Sequence, residues 1–250
     1  MTLTDKVAIV TGGAGGIGQG IVRHFLKEGA RVLVVDIIDQ AAGDELVAGF
    51  EPAANVRYLK SDISVAANAP EIVSAAVAAF GKLDVLVNNA HASKQAPIIE
   101  TTQEMWDLSM GTGMYATFHL MQAAYPELKK TKGAIVNFAS GAGLKGLPNQ
   151  VTYAAAKEAI RGITRVAAHE WAADGVRANL VSPVALTPGI QQWSEAFPDA
   201  YAEVVAGVPL GRLGDPETDI APVVAFLASD ASQYVTGQTL MADGGSIMLH

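Results

Sequence analysis

The sequence predicts a single doubly wound α/β domain, a parallel seven-stranded sheet with helices on both faces. Three observations predict it. Short apolar, β-branched runs alternate with longer amphipathic or alanine-rich stretches, the first run stops at a cluster of glycines, and no linker, repeat or composition shift divides the 250 residues. Runs that are apolar throughout suit strands buried on both faces, as in a parallel sheet between two helix layers.

The first strand is expected over residues 6–11, where Val7, Ala8, Ile9 and Val10 lead to Thr11 and a run of glycines. A helical pattern over 19–28 closes at Gly29, a C-cap residue, and a second strand over 31–36 ends at Asp36. Together they form a βαβ unit of about 30 residues, the span of one dinucleotide-binding half. Further strands are expected at 55–60, 83–87, 134–138, 176–181 and 238–241, with helices at 70–80, 101–125, 151–173 and 216–227. The second of these helices opens with Thr101, Thr102, Gln103 and Glu104 in capping-box spacing. Gly111 and Gly113 inside it each cost up to about 1 kcal/mol relative to Ala, which predicts a bend. From 184 to 209 the alternation breaks. Trp193, Phe197 and Tyr201 stand there among prolines and glycines, in a segment long enough to be a substrate lid.

Bulk properties narrow the functional class. Hydrophobic residues make up 50% and charged residues 17%, the make-up of a packed core. A net charge of −8 without a basic stripe argues against nucleic acid or an anionic membrane as partner. No apolar run approaches the roughly 20 residues of a membrane span, and residues 1–6 lack the sections of a signal peptide, so a cytoplasmic protein is expected. With no cysteine there is neither disulfide nor thiol nucleophile, and the five histidines are scattered without metal-ligand spacing, so no metal site is expected.

Two stretches carry chemistry. Gly12, Gly16, Ile17 and Gly18 lie between the first strand and the first helix, where helix N-terminal amides meet a pyrophosphate and glycine admits it closely. Asp36, at the end of the second strand, can accept hydrogen bonds from adenosine ribose hydroxyls and would repel a 2′-phosphate. No Lys or Arg lies in the glycine run, and Ile37 and Ile38 follow the aspartate, so NAD is favoured over NADP in a Rossmann-type domain. The second stretch begins at Ser140, where the fifth strand ends, and includes Tyr153 and Lys157 four apart on one helical face. An ammonium beside a phenol favours the phenolate and lowers its pKa from about 10, which makes Tyr153 a proton carrier near neutral pH.

In order along the chain, residues 11–18, Asp62 with Ile63, Asn88-Asn89-Ala90, Ser140 with Tyr153 and Lys157, residues 179–183, and residues 237–245 resemble the short-chain dehydrogenase/reductase family over essentially the whole length. The resemblance implies that Tyr153 is the acid/base, that Ser140 hydrogen-bonds the reacting oxygen, and that Lys157 lowers the tyrosine pKa and holds the nicotinamide ribose. Hydride then passes between substrate carbon and nicotinamide. It also implies that Asp62 and Ile63 contact adenine, Asn89 the adenosine side, and Pro183, Leu186 and Thr187 the nicotinamide and phosphates.

The implied activity is an NAD-dependent dehydrogenase of a secondary alcohol or its ketone, assembled as a homotetramer through the two long helices and the last strand. Leu144, Trp193 and His91 are candidates for the substrate pocket, which the lid aromatics suit to an apolar or aromatic compound. Two alternatives stand beside it. One is a 3-oxoacyl thioester reductase, whose relatives share the ending from Gly211; the other is a nucleotide-binding protein with an impaired site. The second is motivated by Gly113, which stands where relatives carry an asparagine that completes a proton relay to the lysine. Two further departures are His91, which follows Asn88-Asn89-Ala90 where relatives have glycine, and Pro183-Val184 in place of Pro-Gly on a path one residue shorter.

Overall fold

A computed structural model describes residues 2–248. The order is β1 (Val7–Thr11), α1 (Gly16–Lys27), β2 (Arg31–Asp36), α2 (Gln40–Ala48), β3 (Val56–Lys60), α3 (Asn68–Phe80) and β4 (Val85–Asn88). Next come α4 (Gln103–Met110), α5 (Ala116–Thr131), β5 (Ala134–Phe138), α6 (Gly141–Lys145), α7 (Val151–Glu170) and β6 (Arg177–Pro183). The chain then forms α8 (Pro188–Ala196), α9 (Pro198–Ala206), α10 (Ala221–Ala228) and β7 (Thr239–Ala242). The seven strands form one sheet in the order β3-β2-β1-β4-β5-β6-β7, with every neighbouring pair parallel.

Strand side chains alternate between faces, and this splits the core into two layers. Ala8 and Val10 of β1 pack with Ile21, Val22 and Phe25 of α1 and with Val224 of α10. Val7 and Ile9 point the other way, onto Ile72 of α3 and Leu120, Ala124 and Leu128 of α5. Both layers are needed, because each strand has an apolar surface on either side.

Four departures from the sequence reading have local causes. Helix α2 was not expected; only Gly43 and Val47 of it are buried, so it carries little apolar periodicity. Thr102, not Thr101, caps α4, its hydroxyl accepting from the Met105 N–H at 3.4 Å. The expected bend is a π-helical turn over Gly111–Tyr115, after which the helix continues as α5 to Thr131. An inserted residue widens the turn and leaves the helix joined, as π-bulges do. The segment 184–209 is not irregular but holds α8 and α9, each with proline at its start, where a missing N–H costs nothing. No helix among the described residues is long and apolar enough to cross a membrane.

Candidate active site

The sheet order reverses at β1, which pairs with β2 on one side and β4 on the other. Crossovers leave these strands toward opposite faces, so a crevice opens beyond their carboxyl ends, where ligands of doubly wound folds bind. Helix α1 begins in that crevice at Gly16, and its first N–H groups have no partner within the helix. A Cβ on Gly18 would stand 2.0 Å from the Gly12 carbonyl oxygen, so the helix meets the strand end too closely for any side chain. Around Gly15, by contrast, nothing lies within 4 Å of where a Cβ would be, which leaves room for a phosphate.

Hydrogen bonds hold this turn from two sides. The Asp36 carboxylate accepts from the Ala14 N–H at 3.0 Å and from the Ile37 N–H at 2.8 Å, tying the end of β2 to the glycine turn. On the other side, the Thr11 hydroxyl accepts from the N–H groups of Asn89 and Ala90, both at 3.1 Å. The Asn89 amide in return donates to the carbonyls of Thr11 and Gly12, at 3.0 and 3.3 Å. Asp62 turns the chain after β3 by accepting from the N–H and hydroxyl of Ser64. Gly12, Asp36, Asp62, Ile63 and Asn89 thus share a cavity of about 430 Å³, and none of the described residues lining it is Lys or Arg. This shape and this acidic floor fit the adenosine half of a dinucleotide. Ile17 sits elsewhere, packed against the core under the first turn of α1.

Ser140 caps α6 where β5 ends, its Oγ accepting from the Ala142 N–H at 3.2 Å. Its hydroxyl shares a cavity with the phenol of Tyr153, on the first turn of α7. One turn later Lys157 is only 4% exposed, with Nζ 5.5 Å from the centre of the Tyr153 ring. Burial lowers the ammonium pKa to about 8, and no carboxylate offsets it. The phenol's pKa is raised, because burial outweighs the opposing influence of Ser140. This corrects the expectation that the neighbouring ammonium brings Tyr153 below the usual range: in the protein by itself, desolvation wins.

Ser140 and Tyr153 open onto a second cavity of about 520 Å³, walled by Leu147, Val204, Val208 and Ile247 together with the polar Ser93, Gln95, Gln150 and Ser246 and the charged Lys145 and Glu203. Pro183 lines it too. Leu144 and Trp193 do not. Leu144 is 41% exposed on α6, and Trp193 packs within the 184–209 segment against Phe197 and Tyr201, ring centres 6.4 and 6.5 Å away. The aromatics stabilise the segment itself, and its contribution to the cavity wall comes from Val184, from α9 and from the residues after α9. His91 is also absent from this wall and lines the dinucleotide crevice instead. Leu186 is held by its N–H on the Gly214 carbonyl at 2.8 Å. Thr187 caps α8, and its methyl lies 3.7 Å from where a Gly16 Cβ would stand, which brings the start of the segment against the glycine turn.

Sequence reasoning passed over a polar chain beneath the site. Asn88 donates to Asn137 Oδ1 at 2.8 Å, and Asn137 donates to the Thr164 hydroxyl at 2.8 Å, linking β4, β5 and α7. The available signal was Asn137 itself, an amide inside an otherwise apolar strand. Gln150 and Leu147 carried no signal, since the turn before α7 reads as ordinary loop.

Known proteins place this geometry in a family. A family model described as enoyl-(acyl carrier protein) reductase matches residues 12–246. A 12α-hydroxysteroid dehydrogenase of a Clostridium species is 42% identical, over 96% of each chain. A 3-oxoacyl-[acyl-carrier-protein] reductase of Thermotoga maritima is 36% identical, over 99% of this chain and 100% of that one. The crystal structure of a short-chain dehydrogenase/reductase, a glucose/ribitol dehydrogenase from Brucella melitensis, superposes with a TM-score of 0.92 at 32% identity over 99% of both chains. The chain therefore belongs to the short-chain dehydrogenase/reductase family, oxidoreductases that interconvert alcohols and carbonyl compounds with a nicotinamide cofactor.

Proposed function

We propose that the protein is an NAD-dependent dehydrogenase of an apolar or aromatic secondary alcohol, or the reductase of the corresponding ketone. The observation that carries this reading is a pair of cavities, one holding the Ser140–Tyr153 pair and one holding Asp36. The first has an aliphatic side formed by Leu147, Val204, Val208 and Ile247 alongside the polar and charged Gln150, Lys145 and Glu203, and Asp36 lines the other. In this reading Gly12, Gly16 and Gly18 admit the pyrophosphate, Ile17 supports the turn from beneath, and Asp36 accepts from the adenosine ribose. Asp62, Ile63 and Asn89 flank the adenosine, and Pro183, Leu186 and Thr187 border the nicotinamide end. The bound nicotinamide supplies the hydride acceptor or donor.

The chain's own groups manage the proton. Ser140 donates to the substrate oxygen and fixes its distance from Tyr153. Tyr153 removes the alcohol proton during oxidation and returns it during reduction. Its buried phenol is a weak acid, so the phenolate must be favoured by a nearby positive charge, and Lys157 is the cation placed to supply it. Residues 184–209 close over the alcohol as a lid.

A 3-oxoacyl thioester reductase is the second reading, favoured by the Thermotoga relative. Asp36 and the net charge of −8 weigh against it, since a carrier protein and NADPH both call for basic surface. We place the enzyme in the cytoplasm, where a chain without cysteine loses nothing. We also propose a homotetramer: Phe118 of α5 and Val166 of α7 are 39% and 53% exposed beside a groove lined with Met114, Met121 and Ile163.

Tyr153→Phe is expected to lower kcat about 100- to 10,000-fold while NADH still binds; substantial residual turnover across an alcohol panel would sink the assignment. In the same panel, NAD should outperform NADP by about tenfold or more in kcat/KM, and Asp36→Ala should narrow that gap. Equal use of NADPH, or preference for a 3-oxoacyl thioester, would move the protein to the second reading. Light scattering should return the mass of four 25.9-kDa chains, and a monomer mass would refute the assembly.

The buried ammonium yields a stability prediction. Its pKa falls from 10.5 to about 8, so between those values the unfolded chain holds a proton that the folded chain has released. Stability from this group therefore rises with pH from about 8 to 10.5, and at or below pH 8 the charge is a full penalty of roughly 3 kcal/mol. Cofactor-free Lys157→Met should unfold at a higher temperature than the parent at pH 7, with the difference shrinking toward pH 10.5. Equal stability at pH 7 would contradict the burial argument.

A further inference from the structure

His91 and Gly113 are two departures from the family pattern, and in space they are one feature. The imidazole stacks on the Tyr153 ring, with centres 5.1 Å apart and planes 10° from parallel. Its other edge reaches into the π-helical turn: a Cβ at position 113 would stand 2.8 Å from His91 Nε2, 3.0 Å from Cδ2 and 3.3 Å from the Ala156 methyl. No residue but glycine leaves room there for the ring. The loop is clamped on the same turn through Thr112, whose hydroxyl accepts from the Ala92 N–H at 3.0 Å.

The protonation of the ring follows from its partners. Nε2 lies 3.1 Å from the Ser109 carbonyl oxygen and 3.0 Å from the Ser109 hydroxyl. A carbonyl can only accept, so the hydrogen is assigned to Nε2, since the other tautomer would set a ring lone pair against the carbonyl oxygen. Burial, helped by the nearby Lys157 charge, lowers the imidazole pKa to about 3, so the ring is neutral and Nδ1 keeps a bare lone pair. Nδ1 is buried and has no hydrogen-bond partner within the chain. A buried acceptor left unpaired costs free energy, and where one persists beside a catalytic pair it marks a place for a donor.

We propose that His91 is a positioning residue of the reaction: its ring fixes the plane of Tyr153, and its Nδ1 accepts the hydrogen bond that orients the donors on the Lys157 side of the site. Gly113 is the other half of the device, since it admits the ring. The polar side chain that relatives carry on the helix is supplied here from the loop after β4, and the site is rearranged, not impaired. The inference rests on the proposed alcohol dehydrogenase reading, in which Tyr153 carries the proton.

The test compares His91→Phe, His91→Gly, Gly113→Asn and the exchanged pair His91→Gly/Gly113→Asn, with Tyr153→Phe as control. His91→Phe retains a stacked ring but removes both ring nitrogens, and should lower kcat about tenfold or more with both KM values within about threefold. Gly113→Asn alone should also lose activity, because the new side chain collides with the imidazole. The exchanged pair should exceed His91→Gly in kcat by about tenfold, a coupling that independent structural damage does not produce. A His91→Phe kcat within about twofold of the parent, or an exchanged pair no better than His91→Gly, would overturn the proposal. Nitrogen-15 NMR of the cofactor-free protein reads the tautomer without turnover: the Nε2–H form supports the assignment, and the Nδ1–H form refutes it. If instead Tyr153→Phe keeps its activity, the dehydrogenase reading falls while the tautomer result still stands.

Discussion

The knot between Thr11 and Asn89 is the constraint on which the rest of the site depends. Parallel strands whose crossovers diverge leave their carboxyl ends without covalent connection, and backbone groups there must find partners or water. At the end of β1 one hydroxyl accepts two N–H groups from the end of β4, and one amide donates to two carbonyls in return. That reciprocal set fixes the spacing of the two strand ends. It thereby fixes the mouth of the crevice, the direction in which α1 meets it, and the starting point of the loop that carries His91.

Below the knot, the interior is deliberately polar at one level. Asn88, Asn137 and Thr164 run hydrogen-bonded through an apolar core, and they bind the two strands that end at the site to the helix that carries Tyr153 and Lys157. Asn88 Oδ1 is left without a partner, while the two bonds through Asn137 tolerate few alternative arrangements, because a shift would orphan further polar groups in a low-dielectric medium. Rigidity here matters chemically. A lysine held 4% exposed and a phenol whose pKa burial raises are each destabilised alone, and each is improved by charge or hydrogen bonds placed beside it.

Taken with the fold, the substitution at 113 has a different meaning from the one it has in sequence. Read along the chain, Gly113 is the loss of a side chain and His91 the intrusion of a bulky one, 22 positions apart. In the folded protein the two contact each other, and the volume lost on the helix is the volume gained from the loop. The π-helical turn belongs to the same adjustment, since it carries Gly113 and the Thr112 hydroxyl that clamps the loop.

The sequence by itself determined the architecture and the inventory of groups. Strand periodicity and the glycine turn are local properties, and Gly18, Asp36, Ser140, Tyr153 and Lys157 are legible because the spacing that matters is along one strand end or one helix turn. Tertiary structure decided everything that depends on residues far apart in the chain. It moved Trp193 and Leu144 out of the cavity wall and brought Leu147 and Val208 into it, because side-chain direction on short helices is set by what they pack against. It set the sign of the Tyr153 shift, because desolvation is a property of the whole surround and not of the neighbour four residues away. And it turned His91 from a candidate substrate contact into the stacking partner of Tyr153, a relation that exists only where the loop after β4, the turn at Gly113 and the first turns of α7 meet.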